Sequence, residues 1–231
     1  MNKKTQNYLR IYANINKEDY TETEKEALVK TLITIGEDIF EQTDLRMDIN
    51  GSGYGISKGD PLVKQTTFWK KIDKKGYKNL FGISASHKDD YSYRSQFNLW
   101  IQSYNFSRLD IEFFWKANDS FDHEKAKKII EAYLPIARID YAYGYLADKN
   151  LTWGEWITKE SFWSSTSYIP KEEEIWEEQI GEIPNGKMKK MYAFNVLNQK
   201  QIENIQKEYK KLDIKVIRLD NELEIWQKNL S

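Results

Sequence analysis

The chain reads as an α+β protein, a two-layer sandwich of a mostly antiparallel sheet with helices packed on one face. Three observations lead there. Apolar and polar residues alternate with period two in several short runs, amphipathic stretches of helical period stand between them, and three strand-like runs between residues 80 and 115 follow one another with no helix among them. The last pattern is that of an antiparallel meander with one buried face. Of the 231 residues, 40% are hydrophobic and 14% aromatic, which is ample material for a core and argues against disorder. No Pro/Gly/Ser-rich linker divides the sequence, so residues 1–231 are read as a single domain with an aromatic and acidic insertion at about 148–186.

Each element has its own signal. Tyr8 to Ile15 alternates as a strand. Thr21 with Glu24 three residues on is a capping box, opening a helix over Glu22 to Gln42 that carries Ala27, Leu28, Leu32, Ile35, Ile39 and Phe40 on one face. Leu45 to Ile49 reads as a strand. Asp60-Pro61 marks the start of a helix that presents Leu62, Thr66, Trp69 and Ile72 and stops near Gly76. The meander occupies Leu80 to Ser86, Gln96 to Ser103 and Arg108 to Trp115. Asp122 caps a helix reaching Leu134, and Arg138 to Leu146 is a further strand. Asp148 to Ile169 is irregular and rich in aromatics. Beyond the turn at Pro184-Asn-Gly186 come a strand (Lys190 to Leu197), a helix (Gln199 to Lys211) and a terminal hairpin (Ile214 to Leu219 with Leu223 to Gln227) around Asp220-Asn221.

Composition narrows the function classes. Thirty-five basic against 36 acidic residues leave a net charge of −1, so no nucleic-acid or anionic-membrane partner is expected. The absence of cysteine excludes disulfides, thiolate metal sites and a cysteine nucleophile. With no signal-peptide-like or membrane-spanning run, the expected location is the cytoplasm.

Catalytic motifs fail on spacing. Gly51-Ser-Gly-Tyr-Gly55 matches neither the dinucleotide fingerprint nor the phosphate loop, and reads as a surface loop. His87 lies beside Asp89 and Asp90, and His123 beside the cap Asp122; two isolated histidines do not supply the usual zinc triad, so both read as surface residues. The hydroxyl-rich Ser161 to Ser167 lacks a nucleophile elbow. Asp110 and Glu112 share a strand face, where acid–base chemistry competes with a solvated sheet face, and the latter is the expectation. Trp69 reads as core; Trp153, Trp156 and Trp163 fit either a core or a binding platform. The lysines at 70, 71, 74, 75 and 78 read as the solvated side of a helix. No catalytic residue, metal ligand or cofactor is therefore assigned.

Pro170 to Pro184 stands out. It holds six glutamates and one lysine around Trp176. A helix with Ile175, Trp176 and Ile180 inward and its glutamates in water explains the pattern. A docking surface for a basic partner does so equally, because concentrated charge speeds encounter and an aromatic supplies a hot spot. On the second reading Glu172, Glu173, Glu174, Trp176, Glu177 and Glu178 form the interface.

The segment Gly186 to Asn198, the helix Gln199 to Leu212 and the strand pair ending Glu224-Ile-Trp226, with Ile139-Asp-Tyr-Ala-Tyr-Gly-Tyr-Leu146 upstream, resemble bacterial immunity proteins encoded beside polymorphic or type VI secreted toxins. The likeness covers about the last 90 residues and rests on pattern. It implies a cytoplasmic, non-enzymatic protein that binds a cognate toxin and neutralises it by occlusion. Two alternatives remain: an enzyme using the glycine loop and the carboxylates near His87 on a small or nucleotide substrate, and a phage or bacterial sequestering protein holding a ligand in the aromatic insertion.

Overall fold

The computed structural model describes residues 5–17, 19–41, 45–51, 54, 62–86, 96–101, 108–160, 165–209, 213–219 and 222–228. The expectations for His87, Asp89, Asp90, Gly53, Gly55, Asp60, Pro61, Trp163 and the Asp220-Asn221 turn lie outside these residues.

Ten strands form one antiparallel sheet in the order β11-β12-β10-β7-β1-β6-β5-β4-β2-β3. They are β1 (Thr5–Ala13), β2 (Arg46–Gly51), β3 (Val63–Lys64), β4 (Leu80–Ser86), β5 (Gln96–Trp100), β6 (Leu109–Lys116), β7 (Ile139–Asp148), β10 (Phe194–Asn198), β11 (Ile214–Arg218) and β12 (Leu223–Lys228). A separate hairpin pairs β8 (Ile157–Glu160) with β9 (Ser165–Tyr168). The helices are α1 (Glu22–Phe40), α2 (Gln65–Lys75), α3 (His123–Tyr133), α4 (Lys171–Gln179) and α5 (Gln199–Tyr209). The α+β class and the mainly antiparallel sheet therefore stand as the alternation indicated.

Local chemistry sets the helix ends. The Thr21 hydroxyl accepts from the Glu24 amide and the Glu24 carboxylate from the Thr21 amide, completing the capping box. Asp122 caps α3 through the Lys125 amide, and α2 stops at Gly76, whose φ of 69° suits glycine. Asn198 and Gln201 cap α5 reciprocally, each side chain accepting from the other's amide.

The helices divide between the two faces of the sheet, which corrects the expected two-layer sandwich with helices on one face to a sheet covered on both. On the front, Leu28, Val29 and Leu32 of α1, Phe68 and Ile72 of α2, and Ala126, Ile129 and Ile130 of α3 pack on Leu9, Ile11, Ile83, Leu99, Ile111 and Phe113. The fit is tight enough that a Cβ on Gly36 of α1 would lie 1.9 Å from the Phe97 ring. On the back, Trp176 of α4 and Ile202 and Ile205 of α5 meet Tyr8, Tyr12, Tyr141, Tyr143, Phe114 and Leu197. The second helical layer forms because β1 and β10 carry large side chains at both parities and β7 turns Tyr141 and Tyr143 to the back. The even positions of β1 are as bulky as its odd ones, and a single layer of helices would leave Tyr8, Tyr12, Tyr141 and Tyr143 in water.

Candidate functional site

β1 decides the site. Leu9 and Ile11 enter the front core, so alternation sends Tyr8, Arg10 and Tyr12 to the back. Registry then aligns partners. Arg10 stands opposite Glu112 of β6 on one side and Tyr143 of β7 on the other, and Tyr12 stands opposite Asp110 and Tyr141. An arginine only 3% exposed, in the centre of a ten-stranded sheet, must find carboxylates.

It finds several. The Arg10 Nε and Nη2 donate to Asp110 Oδ1 and Oδ2 at 3.1 and 2.9 Å, a two-pronged contact. Nη1 donates to Glu173 at 2.9 Å and Nη2 to Glu177 at 2.8 Å, both on α4. Arg108, just before β6, donates from Nη2 to Glu177 at 2.8 Å and to Asp110 at 3.3 Å. Glu112 accepts from the Tyr8 hydroxyl at 2.7 Å and from the Gly154 amide at 2.8 Å. Glu155 follows in the 3-10 turn Trp153–Glu155, at a φ of 56° that is uncommon for a non-glycine residue. Its carboxylate accepts from the Tyr145 hydroxyl at 2.8 Å, and Lys189 bridges it to Glu173. The Trp176 indole donates to the Tyr12 hydroxyl at 2.9 Å. Tyr143, Tyr145 and Tyr192 stack alongside, with ring centroids of Tyr143 and Tyr192 4.5 Å apart.

Burial and charge pull the acids apart. Burial pushes Glu112 up to about 7, against the pull of Arg10. Burial, reinforced by the neighbouring Glu155, pushes Glu173 up to about 8. Burial also works to raise Glu155, but the hydrogen bond from Glu173 and the Lys189 ammonium outweigh it and hold this group down to about 2. Asp110 is likewise held below the usual range, because the two arginines outweigh its desolvation. The hydroxyls of Tyr8, Tyr12 and Tyr143 are raised by burial; that of Tyr8 donates to Glu112, whereas those of Tyr12 and Tyr143 accept from Trp176 and Lys189.

The acidic segment therefore has two faces. Glu173 and Trp176 are buried at 2% and 3% exposure, Glu177 is half-buried, and Glu172, Glu174 and Glu178 face solvent. Of the apolar residues expected inward, Trp176 and Ile180 are inside, whereas Ile175 is 45% exposed. The expectation that the glutamates lie in water is corrected for Glu173, whose two oxygens are taken by Arg10 and Lys189. The solvated reading of Asp110 and Glu112 is corrected too: both are buried beneath α4 and the Trp153–Glu155 turn, because Arg10 shares their face.

Sequence reasoning missed Arg10, Arg108, Glu155 and Lys189. Arg10 had a readable signal, a charge inside the apolar run Tyr8-Leu-Arg-Ile-Tyr12, and Arg108 shares the parity of Asp110. Glu155 and Lys189 have none, since only tertiary packing brings them in. His123 is half-buried near the Phe121 and Phe194 rings, and burial lowers its pKa. Among the described residues no cluster of three or more His, Asp or Glu has the form of a metal site, and no helix is long and apolar enough to cross a membrane. An open groove of about 830 Å³ lies where β1 and β10 end and β7 begins, lined by Asn14, Lys17, Arg138, Asp140, Asn198 and Lys200.

Comparison with protein-family models, curated proteins and solved structures gave no match.

Proposed function

We propose that the chain is a bacterial immunity protein, which binds a cognate secreted toxin and neutralises it by occlusion through the outer surface of the 148–186 insertion. The observation that carries this reading is the division of α4. Its inner side is fixed by Glu173, Glu177 and Trp176, while its outer side leaves Glu172, Glu174, Glu178 and Ile175 in solvent. A surface held rigid before encounter loses little entropy on binding. Its charge suits a basic partner, and Ile175 gives it an apolar centre. Tyr168 of β9 and Trp156, just before β8, are exposed too, residue types that serve as binding anchors. The resemblance of the C-terminal third to toxin-neutralising proteins agrees with this reading.

The test is co-expression with the toxin encoded beside the gene. Growth rescue and a tight complex are expected. The triple variant Glu172→Lys/Glu174→Lys/Glu178→Lys should weaken the complex by more than about tenfold, roughly 1.4 kcal/mol, at unchanged thermal stability. An adjacent toxin that is neither bound nor neutralised ends the proposal; full affinity in the triple variant removes α4 from the interface.

A further inference from the structure

The network under α4 holds more acids than cations. Among the described residues, Asp110, Glu112, Glu155, Glu173 and Glu177 face Arg10, Arg108 and Lys189. Four of the five carboxylic residues are at most 7% exposed, and only Glu177 reaches solvent appreciably. The other titratable groups turned toward the network are hydroxyls of Tyr8 and Tyr12 on β1, Tyr143 and Tyr145 on β7, and Tyr192 beside Lys189. None is a cation. Two uncompensated negative charges in such a place would each cost several kcal/mol.

Geometry says where relief is found. Lys189 serves Glu155 and Glu173 together, so one ammonium faces two buried carboxyl groups, and a proton held on one of them relieves the pair. Glu112 lies 3.7 Å from the Arg10 Nε, whereas Asp110 takes that guanidinium directly, so Glu112 is the less compensated of the strand pair.

We propose that α4 is docked by a proton-loaded clamp: two of the network's carboxyl groups, one at Glu112 and one shared by Glu155 and Glu173, are protonated at about pH 6, and rising pH frees the helix by removing those protons. Each step breaks one O–H bond and passes the proton to a solvent base, leaving one more buried carboxylate. The accumulated repulsion is relieved when α4 lifts and water reaches Glu112 and Glu173. Glu173 and Glu177 are the residues that hold the helix, so the acids that sense pH and the acids that clamp are neighbours in one network. The inference stands apart from the toxin reading, since its readouts are protonation and helix docking in the isolated protein.

Infrared difference spectra of the wild type give the first readout. The neutral-carboxyl C=O stretch should be present at about pH 6 and gone by about pH 10, well above the ordinary carboxylate range. Glu112→Gln and Glu173→Gln should each remove part of that signal, and the double variant nearly all of it. Hydrogen–deuterium exchange gives the second: after correction for intrinsic rates, protection of the α4 amides should drop about tenfold between about pH 6 and pH 9 in the wild type, and less than about twofold in the double variant. No neutral-carboxyl signal at about pH 6, or a signal the two substitutions leave intact, overturns the proton assignment. Unchanged α4 protection across the range overturns the release. Should the glutamine variants fail to fold, the wild-type titration and exchange still decide.

Discussion

The two faces of the sheet are built on different principles. The front is covered by α1, α2 and α3 mainly through apolar side chains, for which volume matters most, with Lys25 and Gln65 as buried polar residues bonded to main-chain groups. The back, under α4, is built from tyrosines, a tryptophan and paired charges, where each polar atom needs a specific partner. The first arrangement supplies stability by area and packing. The second supplies little net stability for its ion pairs, because desolvation cancels much of the attraction, but it fixes one orientation for the helix above. The difference teaches that a short acidic helix with no side-chain N-cap can still be positioned on a sheet, provided the sheet offers an arginine for its inner glutamates.

The sharpest way to break this contrast is through additivity. Arg10→Met strands buried carboxylates and should cost about 3–5 kcal/mol in chemical denaturation. Adding Glu173→Gln and Glu177→Gln should recover part of that loss, whereas front-face truncations such as Leu32→Ala and Phe113→Ala should cost about 2–5 kcal/mol each and add when far apart. Additive losses on the back would mean that the network is not coupled. Gly36→Ala comes next: the clash with Phe97 should cost about 1–3 kcal/mol, and a neutral result would show the front face to be looser than described.

pH separates the faces further. Glu112 and Glu173 titrate higher in the fold, at about 7 and about 8, than the usual ~4.3 of an unfolded glutamate. Their contribution is thus complete below that ordinary value and is lost as pH rises through the folded values. Glu155, held down to about 2, works the other way, and its contribution is lost as pH falls below the ordinary value. Melting temperature should therefore peak near about pH 5 and decline toward about pH 8, with the decline flattened in Glu112→Gln. A wild-type profile flat from about pH 5 to pH 8 would contradict this. Trp176→Phe keeps the apolar ring and loses the bond to Tyr12, for about 1 kcal/mol. Smallest of all, Glu172→Gln, Glu174→Gln and Glu178→Gln should each change stability by less than about 0.5 kcal/mol, since these side chains are exposed.

Most of the fold was legible because its signals are local. The capping box placed the start of α1, Asp122 placed α3, and β4 matches its alternating run from Leu80 to Ser86. The insertion was legible only as a stretch of composition: its aromatic part contains the β8–β9 hairpin, whose pattern is too short to read. The site was half legible. Asp110 and Glu112 were recognised as sharing a face, and α4 as an acidic helix with an inward tryptophan. That the two meet through Arg10 could not be read, because strands more than 90 residues apart in sequence become neighbours only through sheet order. A glutamate's spacing along a helix tells which face it is on, but not whether a cation waits opposite.

The position of β1 has a consequence for how the protein is made. This strand lies fifth from one edge of the sheet, and its two neighbours are β6 and β7, about 100 and 130 residues downstream. Thr5 to Ala13 cannot pair with its sheet neighbours until β6, about 100 residues downstream, has been synthesised. At ~5–20 residues per second, this apolar segment waits on the order of ten seconds with both edges bare. Folding should accordingly be slow and dominated by distant contacts, and nascent chains cut short before residue 148 should be open to aggregation and chaperone capture.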